Sequence, residues 1–279
     1  MYFTIWRTAD RVRYVTVAAL MSLSIAATQA SAAPLAIVNA GFEDTSGQTV
    51  FNEFTFGTPA GWTLHDPNGI IPDPNVFTGT LQTNGVDFFN TTAPEGDRVA
   101  LLFNSEREGE GEYGYRQVLG DTIQANTRYE LSVEVGNIGS GVATNGQFFD
   151  LSEFPGYRID LFAVDQFNNE TLLAQDLNSL LIPEAEFSTS VIGIDIGAGH
   201  VNIGDFLGIR LVNLNEIPLG FTQETSPDLE VDFDDVRLDA TAISEPGVVA
   251  LAVLGVAALG LGRLAARRRR EGALAASLA

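Results

Sequence analysis

From Leu35 to Ala240 the apolar residues fall in short runs divided by Gly, Pro, Asn and Asp, and few stretches hold a helical period for long. Tyr129, Leu131, Val133 and Val135 alternate with polar neighbours, as do Ile159, Leu161 and Ala163. That two-residue period marks strands with one buried face. The pattern predicts strands over Arg98–Phe103, Tyr115–Leu119, Arg128–Gly136, Tyr157–Val164, Phe187–Ile194, Leu207–Leu214 and Leu229–Leu238. Short strands at this spacing predict an all-β fold, a two-sheet antiparallel jelly-roll sandwich. No internal repeat and no Pro-rich or Ser-rich linker divides residues 33–243, so they read as one domain. The stretch Asp66–Thr92, broken by prolines, glycines and asparagines, reads as a long loop over one edge or mouth of the sandwich. Its Ile70, Ile71, Phe77, Phe88 and Phe89 favour order.

The two ends follow different patterns. Arg7, Arg11 and Arg13 precede the apolar run Tyr14–Ala27 and the small-residue stretch Thr28–Ala33. A basic start, a short apolar stretch and the triplet Ala30-Ser31-Ala32 predict a signal peptide over residues 1–32, read by the Sec translocon and cut by signal peptidase near Ala32. The run is too short to span a bilayer as an anchor. At the other end, Glu245-Pro246 leads into an apolar stretch over about residues 248–266 and then Arg267, Arg268, Arg269 and Arg270. A marginal apolar helix closed by arginines predicts a transmembrane stop-transfer element, its basic end on the cytoplasmic side.

Composition narrows the chemistry. The chain has no cysteine, which excludes disulfides, thiol catalysis and cysteine-ligated metals. Its formal charge is −21, and the arginines crowd the ends. Between Pro34 and Ser244 there are 33 carboxylates against 7 arginines and no lysine, about −26 by formal counting. Such a domain repels nucleic acid and attracts divalent cations. His65 and His200 are the only histidines, and neither a G-x-S-x-G elbow nor an H-E-x-x-H pair is present, which argues against conventional hydrolases. A carboxylate-pair glycosidase stays open, because the acids are so many.

Residues 244–279 resemble the PEP-CTERM sorting signal of Gram-negative bacteria, although Ser244 stands where that pattern has its first proline and a nine-residue tail follows the arginines. The resemblance implies recognition by an exosortase-type peptidase and passage through the inner membrane to the cell surface or exterior. The opening Val38-Asn39-Ala40-Gly41-Phe42-Glu43 and the closing Val231-Asp232-Phe233-Asp234-Asp235-Val236-Arg237-Leu238 are similar to galactose-binding-like jelly rolls of carbohydrate-binding modules. There the first and last strands lie together, so the resemblance implies a structural calcium ion held by Glu43 and Asp234. The alternating Glu106, Glu108, Glu110 and Glu112 read as a solvated turn, with cation binding as the alternative.

Three further segments, Gly61–Gly69, Phe154–Arg158 and Leu207–Asn215, look like parts of the Stig cyclases, calcium-dependent jelly-roll proteins that rearrange and cyclise indole isonitrile terpenoids. That likeness implies an acid that protonates the substrate and aromatic faces that stabilise the cation formed. By position in the matching segments the acid would be Asp232, with Tyr115, Phe89 and Phe154 around it; alternation alone puts Asp232 on a polar face beside Glu230 and Asp234. Three functions therefore stay open. The first is a calcium-stabilised structural or binding module of the surface or exopolysaccharide matrix. The second is a carbohydrate-binding module, with Trp62, Tyr113 and Tyr115 as stacking faces for a polysaccharide, although Trp62 after Gly61 fits a core position better. The third is a Stig-type cyclase acting on a small apolar ligand.

Overall fold

The computed structural model describes residues 31–71, 76–84, 87–105, 111–222 and 225–243. The signal-peptide residues 1–30, with Ala30, lie outside them, as do Glu106, Glu108, Glu110 and the whole sorting segment with Glu245, Pro246 and Arg267–Arg270. Ser31–Ala242 forms one compact unit.

Fifteen strands build it: β1 (Ala33–Pro34), β2 (Thr49–Phe51), β3 (Phe54–Phe56), β4 (Thr63–His65), β5 (Val76–Gln82), β6 (Arg98–Asn104), β7 (Tyr113–Thr122), β8 (Thr127–Asn137), β9 (Gly141–Val142), β10 (Phe148–Phe149), β11 (Tyr157–Val164), β12 (Glu170–Leu177), β13 (Glu186–Ile196), β14 (Phe206–Asn213) and β15 (Leu229–Ala242). An eight-stranded sheet runs β13-β8-β15-β6-β5-β3-β2, with β1 paired to the end of β15. A five-stranded sheet runs β12-β11-β14-β7-β4, and β9 with β10 forms a separate ribbon. The first and last segments lie together as expected: Ala33 pairs with Ala240, and the Val236 amide donates to the Ala40 carbonyl at 3.1 Å.

The main core fills the space between the sheets. Tyr129, Leu131, Val133 and Val135 of β8 meet Ile159 and Leu161 of β11 and Ile209 and Leu211 of β14, all essentially inaccessible. Trp62 joins this core, its ring 5.3 Å from Phe42, and Tyr113 and Tyr115 are fully buried in it. None of the three offers a face for stacking on a sugar.

The Asp66–Thr92 stretch departs from expectation. It contains β5, an interior strand held by β6 on one side and β3 on the other. Gly79 is the reason it looked irregular. A Cβ there would stand 1.7 Å from the Thr55 carbonyl oxygen, so the glycine serves a close backbone approach within the sheet and breaks nothing.

The outer face of the five-stranded sheet carries an ion network. Arg116 and Arg210 lie over the Phe162 ring at 5.5 and 4.8 Å, Arg210 and Arg158 both pair with buried Asp160, and both Arg116 and Arg210 reach Glu170. Glu112 belongs to this network and not to a solvated turn: it binds Arg158 through both oxygens and His65 at 3.2 Å. The Arg158 hydrogen bond, partly opposed by burial, holds Glu112 below the usual carboxylate range. Burial of His65 lowers its pKa more than Glu112 raises it.

Candidate active site

The outer face of the eight-stranded sheet is also covered, and this decides where its carboxyls go. In β15, Val231 and Phe233 point into the main core while Glu230, Asp232 and Asp234 point outward. A bulge against β8 after Asp234, with Asp235 at φ 47°, resets the alternation so that Val236 and Leu238 face inward again. Beside β15, the outward residues of β6 are Val99, Leu101 and Phe103. These apolar positions are capped by Phe88, Phe89 and Ala93, by Ile138 and Ala143, and by Leu151, forming a second apolar cluster. Two bonds tie the Phe88–Asn90 segment to the loops flanking β8 and β13: the Gly139 amide donates to the Phe88 carbonyl and the Asn90 amide to the Ala185 carbonyl, both at 2.9 Å.

Within this second layer lies a cavity of about 330 Å³. Leu101, Phe103, Glu230 and Asp228 line it from β6 and the start of β15. Phe54, Phe56, Phe77 and Phe88 line it further, and Phe51, Asn145, Gln147 and Phe149 belong to the two hairpins beside it. The rings brace one another: Phe77 stacks on Phe103 at 5.8 Å, and Phe149 meets Phe103 edge-on at 5.8 Å and Phe54 at 6.0 Å. Buried Glu53, in the β2–β3 turn, accepts the Thr144 amide at 2.7 Å and the Thr144 hydroxyl, tying that turn to the β9–β10 hairpin.

Two carboxyls of β15, Glu230 and Asp232, sit side by side in this apolar layer. Glu230 lines the cavity and is 2% exposed. Asp232 is fully buried, paired across the sheet with Leu101 and Gly136. A Cβ on Gly136 would meet the Phe187 ring at 2.7 Å and the Asp232 Cβ at 3.1 Å, so the glycine makes room beside the acid. Phe187 in turn stacks on Phe89 at 4.3 Å. Apart from the contact between the two carboxyls, in which protonated Asp232 donates to Glu230, neither Asp232 oxygen nor Oε1 of Glu230 has a hydrogen-bond partner. Burial first, and the neighbouring carboxyl second, push Asp232 far above the carboxylate range; burial pushes Glu230 up as well, opposed by the Asp232 hydrogen bond and aided by the charge of Asp228. Two such groups titrate as a unit and are held protonated near neutrality.

A buried, protonated carboxyl pair beside phenylalanine faces can give a proton to an apolar ligand and surround the resulting cation with π-density. Comparison with known proteins bears on this arrangement. Residues 33–239 match the family described as HpiC1 cyclase. The chain belongs to that cyclase family. A cyclase from Fischerella sp. TAU is 35% identical, with a TM-score of 0.64 over 77% of this chain and all of that one. A Stig cyclase from the same organism, crystallised with (3Z)-3-(1-methyl-2-pyrrolidinylidene)-3H-indole, and a cyclase with 4-(1H-indol-3-yl)butan-2-one are each 34% identical at the same TM-score, and this chain covers all of each. No curated protein matches the chain.

Of the residues that the Stig resemblance pointed to, the structure brings Asp232 and Phe89 to the covered outer face and sets Tyr115 and Phe154 on the other side of the sheet. Asp232 is on a buried face, not a solvated one, because the second layer closes over it. The Tyr115 hydroxyl lies 3.0 Å from the carbonyls of both Gly79 and Leu101 and donates to one of them. Its burial drives its pKa far up, so it acts as a neutral tie between the sheets. Phe154 packs on the main core, 6.3 Å from Tyr157. The cavity phenylalanines and Glu230 were not picked out from sequence. One signal for them was Val99–Phe103, an unbroken apolar run that marks a strand buried on both faces.

The cyclase family is calcium-dependent in general, and the residues here can be tested for that ion. Glu43 Oε1 accepts the amides of Asp97 and Arg98, each at 2.7 Å, and Asp234 Oδ2 accepts the amide of Glu95 at 2.8 Å. Both acids therefore grip one short loop from opposite elements, and Gly96 sits against the Glu43 carboxylate. Asp234 Oδ1 is buried without a partner, and burial pushes Asp234 up to about 8. An orphaned carboxylate oxygen fits a hard cation. Among the described residues, however, no three acidic or histidine side chains converge as a ready metal cluster, so further ligands would be backbone carbonyls and water.

Proposed function

We propose that the protein is an exported Stig-type cyclase that binds an apolar, indole-bearing substrate in the phenylalanine cavity and starts cyclisation by protonating it. The observation that carries this reading is the buried Glu230–Asp232 carboxyl pair, with Glu230 lining an aromatic cavity, Asp232 beside it, and both raised above the carboxylate range by burial. The indole ligands in the Fischerella relatives support the substrate class. In this mechanism the pair delivers a proton to an electron-rich carbon, and Phe54, Phe77, Phe88 and Phe103 stabilise the cation while a ring closes. Final loss of a proton returns the pair to its starting state.

Glu43 and Asp234 would hold a calcium ion, whose chemistry here is charge neutralisation and bracing of the Glu95–Arg98 loop against β15. Export rests on the segments beyond the described residues: signal peptidase would cut near Ala32, and an exosortase-type peptidase would act at Glu245-Pro246. The test is to incubate the full-length protein with indole isonitrile terpenoids and calcium and to follow cyclised products by chromatography and mass spectrometry. Product formation that Asp232→Asn or Glu230→Gln suppresses supports the reading; absence of turnover across the substrate series refutes it.

A further inference from the structure

The exposed residues in the cavity lining are Phe51, Asn145 and Gln147, and they sit on two hairpins. Phe51 ends β2, ahead of the Asn52-Glu53 turn into β3, where Asn52 takes the left-handed backbone of a tight turn at φ 56°. Asn145 and Gln147 lie in the turn between β9 and β10. The cavity therefore reaches the surface between these hairpins, which form its two lips. They are not equally firm. The β2–β3 lip is part of the eight-stranded sheet through the pairing of β3 with β5, and the Glu53 carbonyl accepts the Gln82 amide at 2.8 Å and the Arg98 guanidinium at 3.0 Å. The β9–β10 lip belongs to neither sheet and has two residues in each strand. A two-stranded ribbon that short is marginal alone, so its place depends on what ties it. Phe149 packs its base onto Phe54 and Phe103, and Glu53 ties its tip.

We propose that Glu53 is a positioning residue: through Thr144 it clasps the soft lip to the firm one and so sets how freely apolar ligands enter and leave the cavity. The proposal rests on the cyclase reading only in taking the cavity as the ligand's seat, and it needs nothing of the acid chemistry. Glu53 is 5% exposed and gives one carboxylate oxygen to the Thr144 amide at 2.7 Å and the other to the Thr144 hydroxyl. The two residues are 91 apart in the chain, so the clasp is a tertiary contact and not part of either turn. Thr144 itself is exposed, so once the carboxylate is removed its amide and hydroxyl bond to water and are not left orphaned. Loss of the Glu53 side chain thus frees the lip without stranding a buried polar group on it.

The chain has no cysteine, so a single one placed in the cavity wall reports how often the mouth opens. Leu101→Cys puts a thiol on that wall, at a position 3% exposed, and Leu161→Cys puts one in the main core as a control for unfolding of the whole domain. On the full-length chain, N-ethylmaleimide should label Leu101→Cys about tenfold faster when Glu53→Ala is added, the order expected for loss of one charge-assisted hydrogen bond. Labelling of Leu161→Cys should not change. Glu53→Gln should restore the slow rate, because its side-chain oxygen can accept the Thr144 amide while its NH2 donates to the Thr144 hydroxyl oxygen. Hydrogen exchange reads the same lip without a substitution in the wall: in Glu53→Ala, peptides over residues 141–149 should exchange about tenfold faster and those of β11 no faster. Equal labelling of Leu101→Cys with and without Glu53→Ala, equal acceleration of Leu161→Cys, Glu53→Gln labelling as fast as Glu53→Ala, or unchanged exchange over residues 141–149 each overturns the proposal. The ligand of one Fischerella relative, 4-(1H-indol-3-yl)butan-2-one, separates this proposal from the cyclase reading. Protection of the Leu101→Cys thiol by that compound supports an indole seat in the cavity. No protection, with labelling still accelerated by Glu53→Ala, refutes the indole seat and leaves the clasp standing.

Discussion

Replacing Glu230 by glutamine should change how stability depends on pH, and the size of the effect follows from its surroundings. In the folded chain Glu230 keeps its proton well above its ordinary value of 4.5 because its removal from water, with the charge of Asp228 added, outweighs the hydrogen bond from Asp232. In the unfolded chain it ionises near that ordinary value. Between the two, the folded state holds one more proton, so the stability present below the unfolded value is lost as pH rises. The loss is about 1.4 kcal/mol per pH unit, or roughly 2.7 kcal/mol from about pH 5 to pH 7. Buried His65 works the other way below its ordinary value of 6.5, and Asp234 adds to the loss. Both terms cancel when wild type and Glu230→Gln are compared at each pH with calcium held constant. The stability of the variant relative to wild type should therefore climb by about 1.4 kcal/mol per pH unit. Urea denaturation followed by the fluorescence of buried Trp62 measures the difference. Parallel stability curves for the two proteins across this range would show that Glu230 titrates as an ordinary carboxylate, and the account of the cavity would fail.

Three other outcomes follow from the structure. Calcium at about a hundred times its dissociation constant should add roughly 2.7 kcal/mol, a rise of several degrees in melting temperature, and Glu43→Ala and Asp234→Ala should abolish it; an unchanged melt with chelator would remove the ion from the fold. Asp176 on β12 accepts the Tyr157 and Ser190 hydroxyls, each at 2.6 Å, and so joins the edge of one sheet to β13 of the other. Asp176→Ala should cost about 3 kcal/mol in urea unfolding, and because these bonds lower the pKa of Asp176 against its burial, the stability it gives should fade as pH drops below its ordinary value of 3.8. Gly79→Ala places a methyl against the Thr55 carbonyl and should destabilise by about 2 kcal/mol; a neutral result would mean that β3 and β5 separate easily.

Much of the fold was legible where the inward positions are regularly apolar. β11 occupies the predicted Tyr157–Val164, and β8 extends the predicted Arg128–Gly136 by one residue at each end, because their inward residues alternate cleanly or nearly so. β12 was missed because Glu170–Leu177 is a mostly exposed edge strand without a periodic apolar face. β5 was missed because Gly79 looks like a breaker until its neighbour Thr55 is known. The site was harder to read for a topological reason. Phe51, Phe54, Phe77, Phe103, Phe149 and Glu230 are scattered over about 180 residues, and only the strand order gathers them. The alternation of acids in β15 was visible, but alternation reports that a face differs from its opposite, not that water lies on it. Asp232 came from the family likeness; Glu230, two residues earlier on the same face, had no likeness to mark it.

The two apolar clusters share the eight-stranded sheet, yet their side chains are separated by its backbone: Phe233 and Asp232 are adjacent in the chain and belong to different interiors. That separation gives the molecule a division between chassis and workshop. Substitutions that reshape the phenylalanine layer leave the inter-sheet packing intact, so a lineage can explore new ligands one residue at a time while the scaffold that carries them keeps folding.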